Sequence, residues 1–248
     1  MRRQVEASGS RGIIVGLSGG IDSAVVAGLA TIAVPGHVAG VLLPCHSDPQ
    51  DEADARLAAE HFGIPVIRID LAAAYDRLLL DLRTAIAHLP EGQRPVLVHE
   101  EVDPRARVPV ANIKPRLRMT SLYFVANSLD YLVAGTGNRS ELAIGYFTKY
   151  GDGGVDLLPI GALVKSEVRA LARKLGVPDA IIEKPPSAGL WQGQTDESEM
   201  GFSYFELERY LDEGREAVPA ALAAKIEAMM RASDHKRKLP PVYDESGS

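Results

Sequence analysis

A short apolar segment, Gly12-Ile13-Ile14-Val15, runs into Gly16-Leu17-Ser18-Gly19-Gly20-Ile21-Asp22-Ser23 and then into Ala24-Val25-Val26-Ala27-Gly28-Leu29-Ala30. The pattern predicts a strand, a glycine-rich turn and a helix in immediate succession. Such a junction aims several backbone N–H groups and the positive end of a helix at one spot, a ready place for an anion. The glycines let backbone approach the anion closely, and Ser18 and Ser23 add hydroxyl donors. Asp22 is out of place there unless a divalent cation bridges its carboxylate to phosphates. The Walker loop is excluded, since it requires Gly-x-x-x-x-Gly-Lys followed by Ser or Thr. The plain alternative is a glycine-rich turn without a ligand.

The first half keeps alternating extended and helical patterns. His37 to Leu43 reads as a second strand; Pro49 opens a helix capped by Asp48 and ended by Gly63. Pro65 to Asp70 reads as a third strand, followed by a helix from Leu71 to His88. Residues 89–110 carry prolines and mixed charges without periodicity, and read as a loop acting as a mobile cover. Asn112 to Ser128 is helical with Pro115 in its first turn, and Tyr131 to Thr136 is an apolar strand suited to a central parallel position. Strands separated by helices imply right-handed crossovers, hence an α/β fold with a doubly wound parallel sheet flanked by helices. Ligands of such sheets lie beyond the carboxyl ends of the strands, here after Val15 and after Ala134. The second half reads as helices near Lys165 to Leu175, Tyr204 to Asp212 and Pro219 to Ala232, with a second mobile loop over residues 184–201. No linker breaks the chain, so residues 1–248 are expected to form one domain ending in a tail from about residue 233.

Composition narrows the function classes. With 248 residues, 46% apolar and 24% charged, the chain can bury a sizeable core. A net charge of −6 disfavours a duplex nucleic-acid partner but not a nucleotide held by a few local cations. No apolar run approaches the roughly 18 residues of a spanning helix, and the N-terminus lacks a signal peptide's apolar core. The single cysteine, Cys45, excludes an internal disulfide framework and a Cys-rich metal site. A cytoplasmic protein with neither membrane nor nucleic-acid partners is expected.

Gly135-Thr136-Gly137-Asn138-Arg139-Ser140-Glu141 leaves a strand and enters a helix, repeating the logic of the first loop. Thr136 offers a hydroxyl to a nucleotide. Glu141 taken alone is what any helix start favours; on the same sheet edge as Asp22 it makes a magnesium pair beside a triphosphate. The string Gly145 to Asp156, with four glycines among aromatic and charged residues, reads on its own as a multi-turn loop. Lys165 opens a helix, where a cation opposes the dipole unless phosphate lies in front of it. His235-Lys236-Arg237-Lys238 reads on its own as a solvated basic tail.

Two resemblances sharpen this reading. Gly16 to Ser23 resembles the Ser-Gly-Gly-x-Asp-Ser loop of the ATP pyrophosphatases, which cut ATP into AMP and pyrophosphate to activate a substrate. Joined to Asn112-Ile113-Lys114-Pro115-Arg116, the Gly145 to Asp156 string, Pro185-Pro186-Ser187-Ala188-Gly189-Leu190 and His235-Lys236-Arg237, it makes the chain from Arg11 to Pro241 resemble the ammonia-dependent NAD synthetases. The resemblance implies the adenine nucleotide α-hydrolase-like fold and a ligase that converts deamido-NAD to NAD, the final step of NAD biosynthesis. ATP turns the nicotinate carboxylate into an acyl-adenylate, pyrophosphate leaves, and ammonia displaces AMP. It implies that Gly16, Leu17, Ser18, Gly19, Gly20, Ile21, Asp22 and Ser23 hold ATP together with Thr136, Lys165 and Ser187. Asp22 and Glu141 would hold Mg2+, and with Lys165 form the catalytic set. Arg116, Lys149, Asp156, His235 and Lys236 would contact deamido-NAD, in a homodimer with that substrate near the subunit interface. The chemistry suits these roles: Arg116 is a forked donor, Lys149 and Lys236 are point charges for a pyrophosphate, and Asp156 accepts from a ribose hydroxyl or an amide.

Three features depart from the common family pattern: Gly137-Asn138 in place of Asp-His, Ser187 in place of Thr, and a short N-terminus in which Met1 to Ser10 supplies only part of a helix. The synthetase portion accounts for the whole chain, and Cys45 is the one candidate thiol for a glutaminase. Its neighbour His46 should point to the opposite face, which makes Cys45 a structural residue lining the adenosine pocket. Ammonia, free or from a separate protein, is the expected nitrogen donor. The rival readings are a GMP synthetase subunit, a tRNA-thiolating relative and a non-catalytic nucleotide-binding protein.

Overall fold

In a computed structural model of the chain, which describes residues 1–93, 104–186 and 195–242, the first helix is α1 (Arg2–Ser8). It is short, as the sequence requires, yet it buries Val5 and ends on Gly9 in the left-handed region. β1 (Gly12–Gly16) follows and leads through the glycine turn into α2 (Ile21–Ala33). Then come β2 (Val38–Leu42), α3 (Pro49–His61), β3 (Val66–Arg68) and α4 (Ala72–Ala87). Asp48 caps α3 as its sequence predicts, its carboxylate accepting from the Gln50 N–H at 2.9 Å.

The sheet is wholly parallel, in the order β3-β2-β1-β4, with β4 formed by Tyr131–Ala134. Alternation along β1 decides what packs where. Ile13 and Val15 face α2 and α8 (Lys165–Leu175), meeting Val25, Val26, Val168 and Ala172. Ile14 faces the opposite layer with Val41, Val133, Tyr75 of α4, and Val125 and Ala126 of α6 (Ile113–Leu129). Each fully buried isoleucine here contributes about 1.5–3 kcal/mol of burial free energy. Helices on both faces of a parallel sheet make the fold the expected one.

Two sequence expectations need correction. β4 is not central; it lies at one end of the sheet, and β1 is flanked on both sides. Its outer edge is covered by a single parallel bridge between Ala134 and Leu157, with Asp156 N–H donating to the Val133 carbonyl at 3.0 Å. The stretch 89–110 is not wholly loop, because α5 (Pro104–Ala111) occupies its end. Pro104 sits at the first helical position, where its missing N–H is harmless, and Pro109 deletes only one bond from a short helix that docks on α6.

The remaining helices are α7 (Arg139–Ile144), α9 (Asp179–Ile182), α10 (Asp196–Met200), α11 (Tyr204–Glu213) and α12 (Ala220–Ala232). α10 lies inside the stretch 184–201 that the sequence presents as loop, with Thr195 as its side-chain cap. Ile144, Met200, Tyr204, Leu207 and Ile226 form a further apolar core that joins α7, α10, α11 and α12. The expected mobile segments fall partly on residues 94–103 and 187–194, outside the described residues, as do Ser187 and the last six residues of the tail.

Candidate active site

Beyond the carboxyl ends of β1 and β4 lies a cavity of about 470 Å³. Its floor is the turn after β1, contributed by Gly16, Leu17, Ser18, Gly20 and Ile21. The turn is held by its own hydroxyls. Ser23 Oγ donates to the Gly20 carbonyl at 2.8 Å and accepts from the Ser18 N–H at 3.3 Å. Gly19 has φ +78°, and a Cβ there would stand 2.3 Å from the Asp51 carbonyl oxygen at the start of α3. Only glycine lets the turn press so closely on that helix.

The second wall leaves β4. Thr136 and Glu141 line the cavity, and between them Asn138 caps α7. Asn138 Oδ1 accepts from the Glu141 N–H at 3.0 Å, while Glu141 Oε2 accepts from the Asn138 N–H at 3.2 Å, a reciprocal capping box. Asn138 Nδ2 then donates to Asp22 Oδ1 at 3.0 Å. One buried amide thus fixes the start of α7 and orients the carboxylate of the opposite loop. This is what the Asn departure achieves in this chain.

Lys165 joins the two carboxylates. Its Nζ lies 2.5 Å from Asp22 Oδ2 and 3.5 Å from Glu141 Oε1, and its side chain is only 4% exposed. Burial opposes the charge on Lys165, but Asp22 and then Glu141 outweigh it and hold the ammonium above its ordinary range. Burial, followed by repulsion from Asp22, pushes the Glu141 carboxyl above the usual carboxylate range. Of the three, Glu141 lines the cavity, while Asp22 and Lys165 are not among its lining residues and lie beside it.

Of the residues expected at deamido-NAD, Lys236 alone lines the cavity. Its Nζ donates to the Gly145 and Phe147 carbonyls, each at 2.7 Å, and lies over the Phe147 ring. Lys149 donates to the His235 carbonyl at 2.6 Å, and Arg116 lies 3.5 Å from the Lys149 carbonyl. These three form a cluster beside the cavity. Asp156 is engaged with the fold: Oδ2 accepts from the Val133 N–H at 2.7 Å and Oδ1 from the Tyr123 hydroxyl at 2.9 Å. Cys45 corrects a sequence expectation. It is buried in the core with Ile14 and Val41, and is not one of the cavity-lining residues.

A match to the family model described as NAD synthase spans residues 1–240. The chain is 50% identical to the "NH(3)-dependent NAD(+) synthetase" of Carboxydothermus hydrogenoformans over 98% of its own length and 93% of that protein's. The chain belongs to the NAD synthase family. Among solved structures, it is similar to an NMN synthetase from Francisella tularensis, with 37% identity, a TM-score of 0.85 and coverage of 98% and 93% of the two chains. It is also similar to an NH3-dependent NAD synthetase from Campylobacter jejuni, with 29% identity, a TM-score of 0.75 and the same coverage.

Several residues of the site escaped the sequence reading. Arg118 lines the cavity, its Nε donating to the Leu43 carbonyl at 3.1 Å and its guanidinium reaching Ser47 Oγ at 3.2 Å. Lys184 lies 2.8 Å from Asp51 Oδ1 and 2.5 Å from Asp54 Oδ2. Tyr204 donates to Asp196 Oδ2 at 2.8 Å while lying 3.4 Å from Glu141 Oε1. The capping pattern at Thr195 was the one local signal pointing toward Asp196.

Proposed function

We propose that this chain is an ammonia-dependent NAD synthetase, a ligase that forms the amide of NAD from deamido-NAD, ATP and ammonia. The observation that carries the reading is the placement of Asp22, Lys165 and Glu141 where two strand ends meet the glycine turn. The turn offers backbone donors and a helix start to the ATP phosphates. Mg2+ fits the remaining donor set. Glu141 Oε1 has its nearest donors at 3.4 and 3.5 Å, at the limit of hydrogen bonding, so that oxygen is held loosely. Mg2+ prefers one or two carboxylates combined with substrate phosphates, and Asp22 and Glu141 would hold it here. Bound there, it would neutralise charge on the leaving pyrophosphate. Thr136, Lys165 and Ser187 are assigned to ATP; Arg116, Lys149, Asp156, His235 and Lys236 are assigned to deamido-NAD. Use of ATP and a single free thiol support a cytoplasmic setting.

Pyrophosphate release from ATP tests the reading directly. Deamido-NAD should elicit it, while XMP and the absence of any acceptor should not. The deamidated form of NMN belongs in the same panel, because a solved relative is named an NMN synthetase. Release with XMP and not with deamido-NAD would overturn the assignment.

Cys45 bears on the nitrogen source. Burial raises the pKa of its thiol, so less thiolate is present at neutral pH. His46, which would have to activate it, instead pairs with Asp76 at 2.8 Å. Cys45→Ser should therefore leave ammonia-driven amidation within about twofold of the parent, and glutamine should support little turnover of either protein. Strong glutamine-driven turnover abolished by Cys45→Ser would reverse this conclusion.

A homodimer is the assembly we infer, and the exposed apolar side chains support it. On α4 and α6, Leu80 is 60% and Phe124 74% exposed, with Leu78, Leu82 and Leu129 also exposed on the same helices. Apolar exposure of this density marks contact surfaces more often than free ones. Phe124→Glu combined with Leu80→Glu should shift sedimentation equilibrium toward monomer by at least tenfold in dissociation constant, a gap of about 1.4 kcal/mol. An unchanged mass distribution would place the interface elsewhere.

A further inference from the structure

One cation on the cavity wall has no part in the assignments above. Lys184 follows closely on α9 and, with Pro185 and Pro186, lines the cavity. Its Nζ reaches across to α3, where it meets Asp51 Oδ1 at 2.8 Å and Asp54 Oδ2 at 2.5 Å. Asp54 is 5% exposed, and its other oxygen is engaged as well, since Oδ1 accepts from Gln50 Nε2 at 2.8 Å. Burial opposes the charge on Lys184, but the hydrogen bonds to Asp51 and Asp54 outweigh it and hold the ammonium above its ordinary range.

What this bridge holds in place is the start of α3. Gly19 of the phosphate turn presses on the backbone of Asp51, where a Cβ would stand 2.3 Å from the carbonyl oxygen and 3.1 Å from Cα. In so close a contact, any displacement of the helix start passes to the turn. The bonds of the turn itself, from Ser23 Oγ to the Gly20 carbonyl and from the Ser18 N–H to Ser23 Oγ, fix its shape but not its distance from α3. Further along, α3 is anchored by Ala55 and Ala58, which share an apolar cluster with Ile181 and Ile182 of α9. Lys184 closes the polar end of that same contact. The bridge also governs charge. Asp51 lines the cavity, and Asp54 lies one helical turn beyond it. Two carboxylates beside a polyphosphate site repel the ligand unless a cation offsets them.

We propose that Lys184 is a positioning residue for ATP, which pins the helix start on which the phosphate turn rests and offsets Asp51 and Asp54 so that the triphosphate can approach. The inference rests on the assignment of the glycine turn to ATP in the reading above. Lys184 acts through Asp51 and Asp54, and its contacts show which substitutions keep the role. A guanidinium can fork to two carboxylates, so arginine preserves the bridge. Methionine keeps an unbranched apolar stem and loses the charge.

The test is ATP affinity, measured by calorimetry with Mg2+ present and no acceptor, alongside steady-state kinetics. Lys184→Met should weaken ATP binding about 10- to 100-fold, the scale of effect expected when a ligand site is misplaced from a distance. Its KM for deamido-NAD should stay within about twofold of the parent, and its kcat at saturating ATP within about threefold. Lys184→Arg should bring ATP binding back to within about threefold of the parent. Lys184→Met combined with Asp51→Asn should bind ATP more tightly than Lys184→Met alone, because one uncompensated carboxylate is gone; a purely structural defect would not be relieved in this way. Unchanged ATP affinity in Lys184→Met would overturn the inference. So would an arginine variant as weak as the methionine variant, since the amine itself would then be the ATP contact, and so would an equal rise in KM for deamido-NAD. Should Lys184→Met fail to fold, Lys184→Gln, which keeps one donor for Asp54, decides by the same comparison with Lys184→Arg. A parent protein that binds ATP but releases no pyrophosphate with deamido-NAD would bring down the amidation reading and leave this inference standing, whereas a parent that binds no ATP would bring down both.

Discussion

Lys165→Met should cost this protein both its turnover and much of its stability. The lysine is buried against two carboxylates, and removing one partner of such a group leaves uncompensated charge in the interior. The expected loss is about 3–5 kcal/mol of unfolding free energy. Removing the whole pair is a different matter. Lys165→Met combined with Asp22→Leu should regain only part of that stability, because apolar side chains replace one ion pair without its desolvation cost while Glu141 stays without its cation and the Asn138 amide loses its acceptor. Neither variant should release pyrophosphate at a measurable rate. Urea denaturation together with a pyrophosphate assay separates the two effects. A single variant as stable as the parent would show that Lys165 is not compensating the two carboxylates.

Asp22→Ala and Glu141→Ala should each lower kcat by about 10²–10³ at saturating ATP, the usual cost of removing one preorganised electrostatic group. The two losses should not add, since both carboxylates act on one pyrophosphate and share Lys165. Asp22→Ala has a further consequence, because it leaves the Asn138 amide without its acceptor. Its activity should therefore depend more steeply on Mg2+ than that of Glu141→Ala. Near-parent turnover in either variant with Mg2+ present would remove that residue from the site.

How much of this could be read along the chain follows from the range of the interactions. The phosphate loop was legible because its strand, turn and helix are contiguous and its glycines answer a local need, as Gly19 does against Asp51. The Asp48 cap and the helix from Lys165 to Leu175 were legible for the same reason. Sheet order was not. The apolar run of Tyr131–Ala134 suits a central strand, but the segment around Asp156 and Leu157 covers its outer edge instead of a full neighbour. α5 was hidden by Pro109, whose propensity argues against helix and is overridden by docking on α6. The pairings of Asp22 with Lys165 and of Glu141 with that same lysine were out of reach altogether, because both depend on distant segments meeting at one corner. Lys165 could be marked as unusual at a helix start, but its carboxylate partners could not be named.

The order β3-β2-β1-β4 also shapes how the molecule assembles. β1 and β2 meet after one short helical crossover, so the glycine turn can form early, within a local βαβ unit. β4 joins the other side of β1 only after the chain has passed through β2, β3 and the helices α3 to α6. Closing so long a loop carries an entropic cost before any contact repays it. Until that docking occurs, Asp22 has neither Asn138 nor Lys165, and the nascent phosphate loop carries an unpaired negative charge. Catalytic competence is therefore a late event in folding, gated by the arrival of one edge strand.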